Sequence, residues 1–476
     1  MIRKYGKDAL IISFLLAVFY AYFFQNPGAN ENSRFALIFA AVQEGRLNID
    51  SFHDVDGTNT IDKAYYEGHY YSDKAIGPSV VGGIFYLPLY WLQQLIHHPS
   101  LYTTKRILTF LIIGIPSAAA GGFLFILSMH LSKSRLMAFL VAVAVGLGTI
   151  CLPYSTALYS HQFTASLLFT AFFLIFLIKE SPGRPGNGHM FLIGSLLGWA
   201  LISEYLAALI ILALIGYYIF VVGRRPDYRS VPAVTLPILG GLFPILLQLT
   251  YNRLCFGNFL SIGYANESDK IFYLGMRQGL MGIHWPDLPT MFYLTFHPSL
   301  GLFWQSPVLL FSFLGAGFLL YKGSYRAELI LAVWVICSYI VALSGYYMWW
   351  GGWAVGVRHF IPMLPFFSIL LSFVPKRLIW LFAGLSVVSV AQMIIATAST
   401  IAVPETMALK INTLGFFEYS NIYSYCWQQL AEGNFAMNLG LFPLGLKSWS
   451  SLLPLLAGVT GITVFFFWRG DYSSPD

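Results

Sequence analysis

The segment Asn30–Lys74, NENSRFALIFAAVQEGRLNIDSFHDVDGTNTIDKAYYEGHYYSDK, is the long polar interruption that follows the first hydrophobic run. It holds Glu31, Glu44, Asp50, Asp54, Asp56, Asp62, Glu67 and Asp73, eight of the chain's 21 acidic residues in under a tenth of its length. The sequence around it is apolar. An acid-rich loop held over an apolar body is where chemistry at a membrane face would be placed.

That body is read from composition. Hydrophobic residues make up 57% of 476 and charged residues 10%, with a mean hydropathy of +0.68. Soluble domains carry roughly 25% charged residues. Many apolar runs approach the roughly 20 residues that span a bilayer, and backbone groups in lipid must be satisfied inside helices. The composition predicts an all-α polytopic membrane protein. Twelve runs are candidate spans: Ala9–Phe24, Ile107–Leu131, Leu136–Pro153, Phe163–Ile178, Met190–Ile202, Leu206–Val222, Val231–Thr250, Pro307–Leu320, Leu329–Tyr346, Ile361–Val374, Leu378–Ser399 and Ser450–Phe467. The first is read as a retained helix, because no small-residue cleavage site follows it before Gln25.

A further run, Ala75–Ile96, is long enough to cross but carries Gly77, Pro78, Gly82, Gly83 and Pro88. Cytoplasmic loops are enriched in Lys and Arg. If this run stays on one side, 15 basic and six acidic residues lie inside, a net of +9, and 12 basic and 15 acidic residues lie outside, a net of −3. If it crosses, Gly223–Arg229 and Lys376–Arg377 move outside. The run is therefore expected as a juxtamembrane or re-entrant helix, with both termini cytoplasmic. The outer face then carries the first loop (25–106), Tyr154–His161, the Ser203–Glu204 break, 251–306, 347–360 and 400–449. Short surface helices are expected in Thr400–Ser448.

The net charge of +6 follows this sidedness; no Arg/Lys-rich tract points to nucleic acid. Cys151, Cys255, Cys337 and Cys426 have neither CxxC nor zinc spacing. His53, His97 and His98 have no metal-like partners in sequence and read as interfacial.

Four places carry candidate chemistry. Glu31, just past the first helix, is a carboxylate at the membrane–water boundary that can take a proton from an acceptor hydroxyl; the plainer reading is a solvated acid paired with Arg34. Lys74 opens the non-crossing helix, where a cation adds to free N–H groups as a phosphate site; the plainer reading is a snorkelling lysine. Glu204 lies between two short apolar runs, where an ionisable group is expensive unless functional or paired. Finally, Tyr346-Tyr347-Met348-Trp349-Trp350-Gly351-Gly352-Trp353, followed by Arg358-His359, reads either as an interfacial belt or as a wall for sugar and polyprenyl chain. Arg358 there adds a planar guanidinium for phosphate. His297 and Trp304 are expected to join this cavity. Asp62 and Asp73 are rival bases, more readily held as ion pairs by their neighbours Lys63 and Lys74.

Glu31-x-x-Arg34-Phe35-Ala36 resembles the acidic-x-x-Arg-Tyr-Ala pattern after helix one of lipid A aminoarabinose transferases and bacterial relatives of protein O-mannosyltransferases. Tyr70-Tyr71-Ser72-Asp73-Lys74-Ala75-Ile76-Gly77, running to Tyr90-Trp91-Leu92, is similar to their Tyr-x-x-Lys-Pro-Pro…Tyr-Trp-Leu motif. These families belong to the glycosyltransferase C superfamily, and the resemblance covers about the first 220 residues. It implies the GT-C fold, with residues 1–222 as a catalytic membrane module and 223–476 as a C-terminal transmembrane region.

The implied activity is transfer of a sugar from a polyprenyl-phosphate donor to a lipid, glycan or protein acceptor on the non-cytoplasmic face of a bacterial inner membrane. By resemblance the catalytic acid falls on Glu31 and the phosphate-contacting lysine on Lys74. Where relatives carry an Asp before helix four this chain has His161, which leaves the second acid unassigned and disfavours a divalent cation. Their Thr-Lys-Gly-Pro break reads Ser203-Glu204-Tyr205-Leu206 here, exchanging a cation for an anion. A transporter or flippase of a lipid-linked saccharide, or a glycan polymerase or ligase, is the alternative; clustered first-loop acids and the lack of repeat symmetry weigh against the transporter.

Overall fold

The computed structural model describes residues 1–95, 100–181, 186–226, 230–404 and 420–471. Among them, eight helices are long and apolar enough to cross a membrane: Ile2–Tyr22, Leu101–Ser132, Ser160–Glu180, Tyr205–Gly223, Val231–Phe256, Arg326–Ser344, Lys376–Ala398 and Ser448–Arg469. Four shorter apolar helices, Arg135–Gly146, Asn187–Leu201, Pro307–Lys322 and Arg358–Leu371, take up the remaining apolar runs. Each of the twelve runs is thus a helix, and the chain is a helical, multi-pass membrane protein.

The short helices have local causes. Asn187–Leu201 stops at the Ser203–Glu204 break, where Glu204 is extended (φ −155°, ψ 114°). Arg358–Phe366 is held in 3-10 geometry, because Pro362 and Pro365 remove two backbone donors from an α ladder. Asn187–Leu201 and Val231–Phe256 pack backbone to backbone: a Cβ on Gly194 would strike Pro237 O, and one on Gly240 would strike Phe191 O. Without a hydrophobic force between helices in lipid, such small-residue contact is what holds them together.

Gly77–Leu95 is not among the eight. It buries Gly77, Pro78, Ser79, Gly82, Tyr86 and Gln93 and exposes Ile84, Leu87, Trp91 and Leu95. The buried glycines let it lie against the loop helix Ala29–Phe39, since a Cβ on Gly82 would press into the Ile38 side chain. His97 and His98 lie outside the described residues.

Strand structure among the described residues is two short antiparallel pairs. Lys63–Tyr66 pairs with His69–Ser72, and Phe23–Phe24 with Met437–Asn438. The first pair corrects the sequence reading, which ran Gly68–Lys74 straight into the following helix. Its turn is Glu67-Gly68, both with positive φ (47° and 89°), the two-residue geometry that suits a twisted hairpin. In the segment 400–449, Asn421–Cys426 and Trp427–Ala431 are short helices among the described residues. The four cysteines are free.

Candidate active site

The site is built on Ala29–Phe39, where Glu31, Asn32, Ser33 and Arg34 are all buried. Four consecutive residues cover more than a full turn, so this helix is enclosed on every side at its polar end. Each polar group then needs a partner or a ligand.

Glu31 takes its partner from the chain entering the helix: the Gly28 N–H donates to Oε2 at 3.1 Å. Burial pushes its carboxyl up, against the lowering effect of a backbone N–H and of Arg358 and Arg34. It forms no ion pair within 4 Å among the described residues, so it is neither solvated nor bonded to Arg34. Asn32 holds Lys105, whose Nζ donates to Oδ1 at 2.8 Å and also to Gly57 O. Ser33 donates to Asp73 Oδ1 at 3.1 Å. Arg34 donates to Asn30 O and to Ser160 Oγ, both at 2.9 Å.

A second group gathers at the hairpin's exit. Lys74 Nζ pairs with Asp62 Oδ2 at 2.9 Å and with Asp73, and lies 5.5 Å from the Tyr264 ring centre. The expected pairing of Asp62 with Lys63 is corrected here: the hairpin turns Lys63 away to bond His53 Nδ1 at 2.8 Å. Burial would lower Lys74 and raise Asp62, but their mutual attraction outweighs it, raising the lysine well above its usual value and holding the aspartate low. Glu267, from the 251–306 segment, closes the group. Burial and the neighbouring Asp73 push its carboxyl far up, and its Oε2 is buried without a hydrogen bond. The sequence reading missed Glu267, an isolated loop acid whose partners are about 200 positions away. It also missed Lys105, although a lysine inside the helix Leu101–Ser132 is the kind of costly cation that marks a site.

The third group comes from the aromatic–glycine segment. Gly351, Gly352 and Gly356 have positive φ (82°, 84° and 67°), and a Cβ on Gly352 would come 3.2 Å from an Arg358 guanidinium nitrogen. The chain thus needs glycine both for the turn and to leave the cation room. Arg358 lies 5.0 Å from the Tyr159 ring centre. Its Nε, like that of Arg34, is buried without a hydrogen bond, and neither guanidinium has a carboxylate within 4 Å among the described residues. Both act on Glu31 and Asp62 electrostatically. Trp350 Nε1 is likewise buried and unbonded. His359 meets the His161 ring at 4.7 Å, and His161 Nδ1 is 2.8 Å from Glu204 Oε2. The Ser160 hydroxyl donates to the same oxygen at 3.1 Å. Burial would raise Glu204, but His161, His359 and Arg34 hold it down to about 2.

The structure therefore brings Glu31, Arg34, His161, Glu204, Arg358 and His359 together, with Asp62, Asp73 and Lys74 beside them. His297 bonds Ser299 and packs at 5.1 Å on Tyr293, which stacks on Trp349 of the aromatic wall at 5.8 Å, whereas Trp304 is exposed.

No family model and no curated protein matches the chain. Two solved structures resemble it over nearly its whole length. One is ArnT from Cupriavidus metallidurans bound to undecaprenyl phosphate, with 14% identity, a TM-score of 0.48, and cover of 97% of this chain and 77% of that one. The other is the same organism's ArnT in the apo state, with 13% identity, a TM-score of 0.47, and cover of 98% and 77%.

Proposed function

We propose that the protein is a membrane glycosyltransferase that moves a sugar from a polyprenyl-phosphate donor to a lipid, glycan or protein acceptor on the non-cytoplasmic face. The observation that carries this reading is the pair Arg34 and Arg358. Two guanidinium groups without a carboxylate partner, each with a buried unbonded Nε, converge beside a buried carboxylate at the membrane edge. Uncompensated cations at such a place call for an anionic ligand, and the planar fork of Arg suits phosphate.

In this reading the donor phosphate lies between Arg358 and Arg34. Lys74 is a third cation, reached only as the phosphate competes with Asp62 and Asp73. Glu31 takes the acceptor hydroxyl proton, and its raised affinity for protons suits that role. The acceptor oxygen attacks the anomeric carbon, the bond from that carbon to the phosphate oxygen breaks, and the configuration inverts. The polyprenyl phosphate leaves as an anion stabilised by preorganised cations. An apolar cavity of about 720 Å³ between Asn187–Leu201, Tyr205–Gly223 and Val231–Phe256 reaches Leu201, two residues from the break at Ser203, and offers the isoprene chain a berth. The catalytic module 1–222 then borrows Arg358 and His359 from the C-terminal region.

Binding of polyprenyl phosphate to the purified protein in nanodiscs, read by native mass spectrometry, tests this. Hydrogen bonds to charged groups contribute about 1.5–3 kcal/mol, so R358Q and R34Q should each weaken binding by about 10- to 100-fold. Unchanged binding in both variants would reject the phosphate site.

A further inference from the structure

His161, Glu204 and His359 come from three separate segments and meet at one point. His161 opens the helix Ser160–Glu180, Glu204 lies in the extended break before Tyr205, and His359 is in the first turn of Arg358–Leu371. Each offers one ligand atom, and these atoms all lie within 4.8 Å of one another. A simple His–Glu hydrogen bond does not describe them. Glu204 Oε2 approaches His161 Nδ1 at 2.8 Å and accepts from Ser160 Oγ at 3.1 Å, so one buried carboxylate oxygen is shared between an imidazole and a hydroxyl. A second imidazole faces the first edge-on at 4.7 Å, and it has no acid of its own within 4 Å among the described residues.

We propose that His161, Glu204 and His359 form a binding site for a divalent cation of the zinc class. Two imidazoles and one carboxylate with an open position are the donor set of catalytic zinc sites; bonds near 2.0–2.1 Å place tetrahedral ligand atoms about 3.3 Å apart. The His161–Glu204 pair is already near that spacing, and the widest gap closes by about 1.5 Å through side-chain rotation. The outer support is in place. Arg34 donates to Ser160 Oγ at 2.9 Å, and Ser160 donates to Glu204 at 3.1 Å. Partners of this kind orient metal ligands. The spacing of the ligands along the chain, at positions 161, 204 and 359, hides the site from any local motif, and the sequence reading assigned no metal.

The test uses the full-length protein in detergent, stripped with a chelator and titrated with Co²⁺ as the spectroscopic probe. Wild type should take up one equivalent and develop the visible bands of four- or five-coordinate cobalt. H359Q and E204Q should lose affinity by more than about tenfold, and S160A, which keeps every ligand and loosens the support, by about 10-fold or more. A rise in the wild-type melting temperature on adding zinc, reversed by chelator, reads the same site without any variant. Absence of stoichiometric uptake and of that thermal shift would overturn the proposal, as would wild-type cobalt affinity in both H359Q and E204Q. Neither readout involves sugar transfer, so failure here leaves the glycosyltransferase reading standing, and failure of that reading leaves this one.

Discussion

Glu31→Gln separates the roles assigned around the first loop. The amide keeps the shape of the side chain and an oxygen for the Gly28 N–H, 3.1 Å from Oε2, but it cannot accept a proton. General-base assistance is typically worth about 10²–10⁴-fold, or about 2.7–5.5 kcal/mol of barrier at 1.36 kcal/mol per tenfold. Transfer should fall by at least a hundredfold, while polyprenyl-phosphate binding stays within about threefold, because the phosphate contacts belong to arginines whose charged bonds are untouched. Stability gives an independent sign. Burial raises the Glu31 carboxyl above its unfolded value, so its contribution to folding is fully present below the unfolded pKa and is lost as pH rises through the folded one. Above the folded pKa the ionised side chain therefore opposes folding, and there the neutral amide should leave the melting temperature unchanged or raise it. Activity of the wild type should fall as pH drops through the raised pKa. The assay is single-turnover transfer from a radiolabelled lipid-linked sugar, run beside a thermal melt. Near-normal transfer by the variant, with Asp73→Asn dead, would show the base to be misassigned.

Asp62→Asn and Asp73→Asn should be milder than Glu31→Gln in the same assay, each leaving Lys74 one carboxylate. Lys74→Gln strands both acids; breaking a buried pair by removing one partner costs about 3–5 kcal/mol, so the melting temperature should drop and a Lys74→Gln/Asp62→Asn double variant should recover part of it. Gly77→Ala drives a Cβ into Ser203 Oγ and to 3.1 Å from Ile202 O; overpacking of this kind costs about 1–3 kcal/mol, and the shift of the break should lower transfer with it. For sidedness, Ser100 and Lys133 are exposed whereas Thr104 is buried and bonded to Gln93. In a Cys337→Ser background, Ser100→Cys should therefore label from outside and Lys133→Cys from the cytoplasm; labelling of both from one side would refute the topology.

Helices were readable because lipid imposes a simple rule: each apolar run of membrane length became a helix. Gly77–Leu95 was legible as a separate helix too, and Gly77, Pro78 and Gly82 lie on the face it buries. Glu31 and Arg34, three positions apart, were legible as neighbours, and both are buried on the helix Ala29–Phe39. What failed was pairing across distance. Asp62 reads as the partner of Lys63 because they are adjacent in the chain, yet in an extended strand adjacent side chains point to opposite faces. The hairpin itself was missed because its Glu67-Gly68 turn lacks the usual Asn-Gly or Asp-Gly. Glu267 carries no local signal, and although His161, Glu204 and His359 each stood out in the sequence, only the closed fold makes them neighbours.

Gln25, six residues before Glu31, is tied to parts of the chain made hundreds of residues later. Its side chain donates to Thr397 O at 2.8 Å and accepts from the Ile401 N–H at 3.2 Å, while Phe23–Phe24 pairs with Met437–Asn438. The loop helix that carries Glu31 thus hangs from a clasp joining both ends of the polypeptide. During synthesis the first helices enter the membrane with half of that clasp missing, and the segment leading into the Glu31 helix gains these bonds only when the last quarter of the chain arrives. A ribosome-bound intermediate holding every first-loop residue would still lack Arg358 and His359, so the site proposed here is complete only once the C-terminal region has been made.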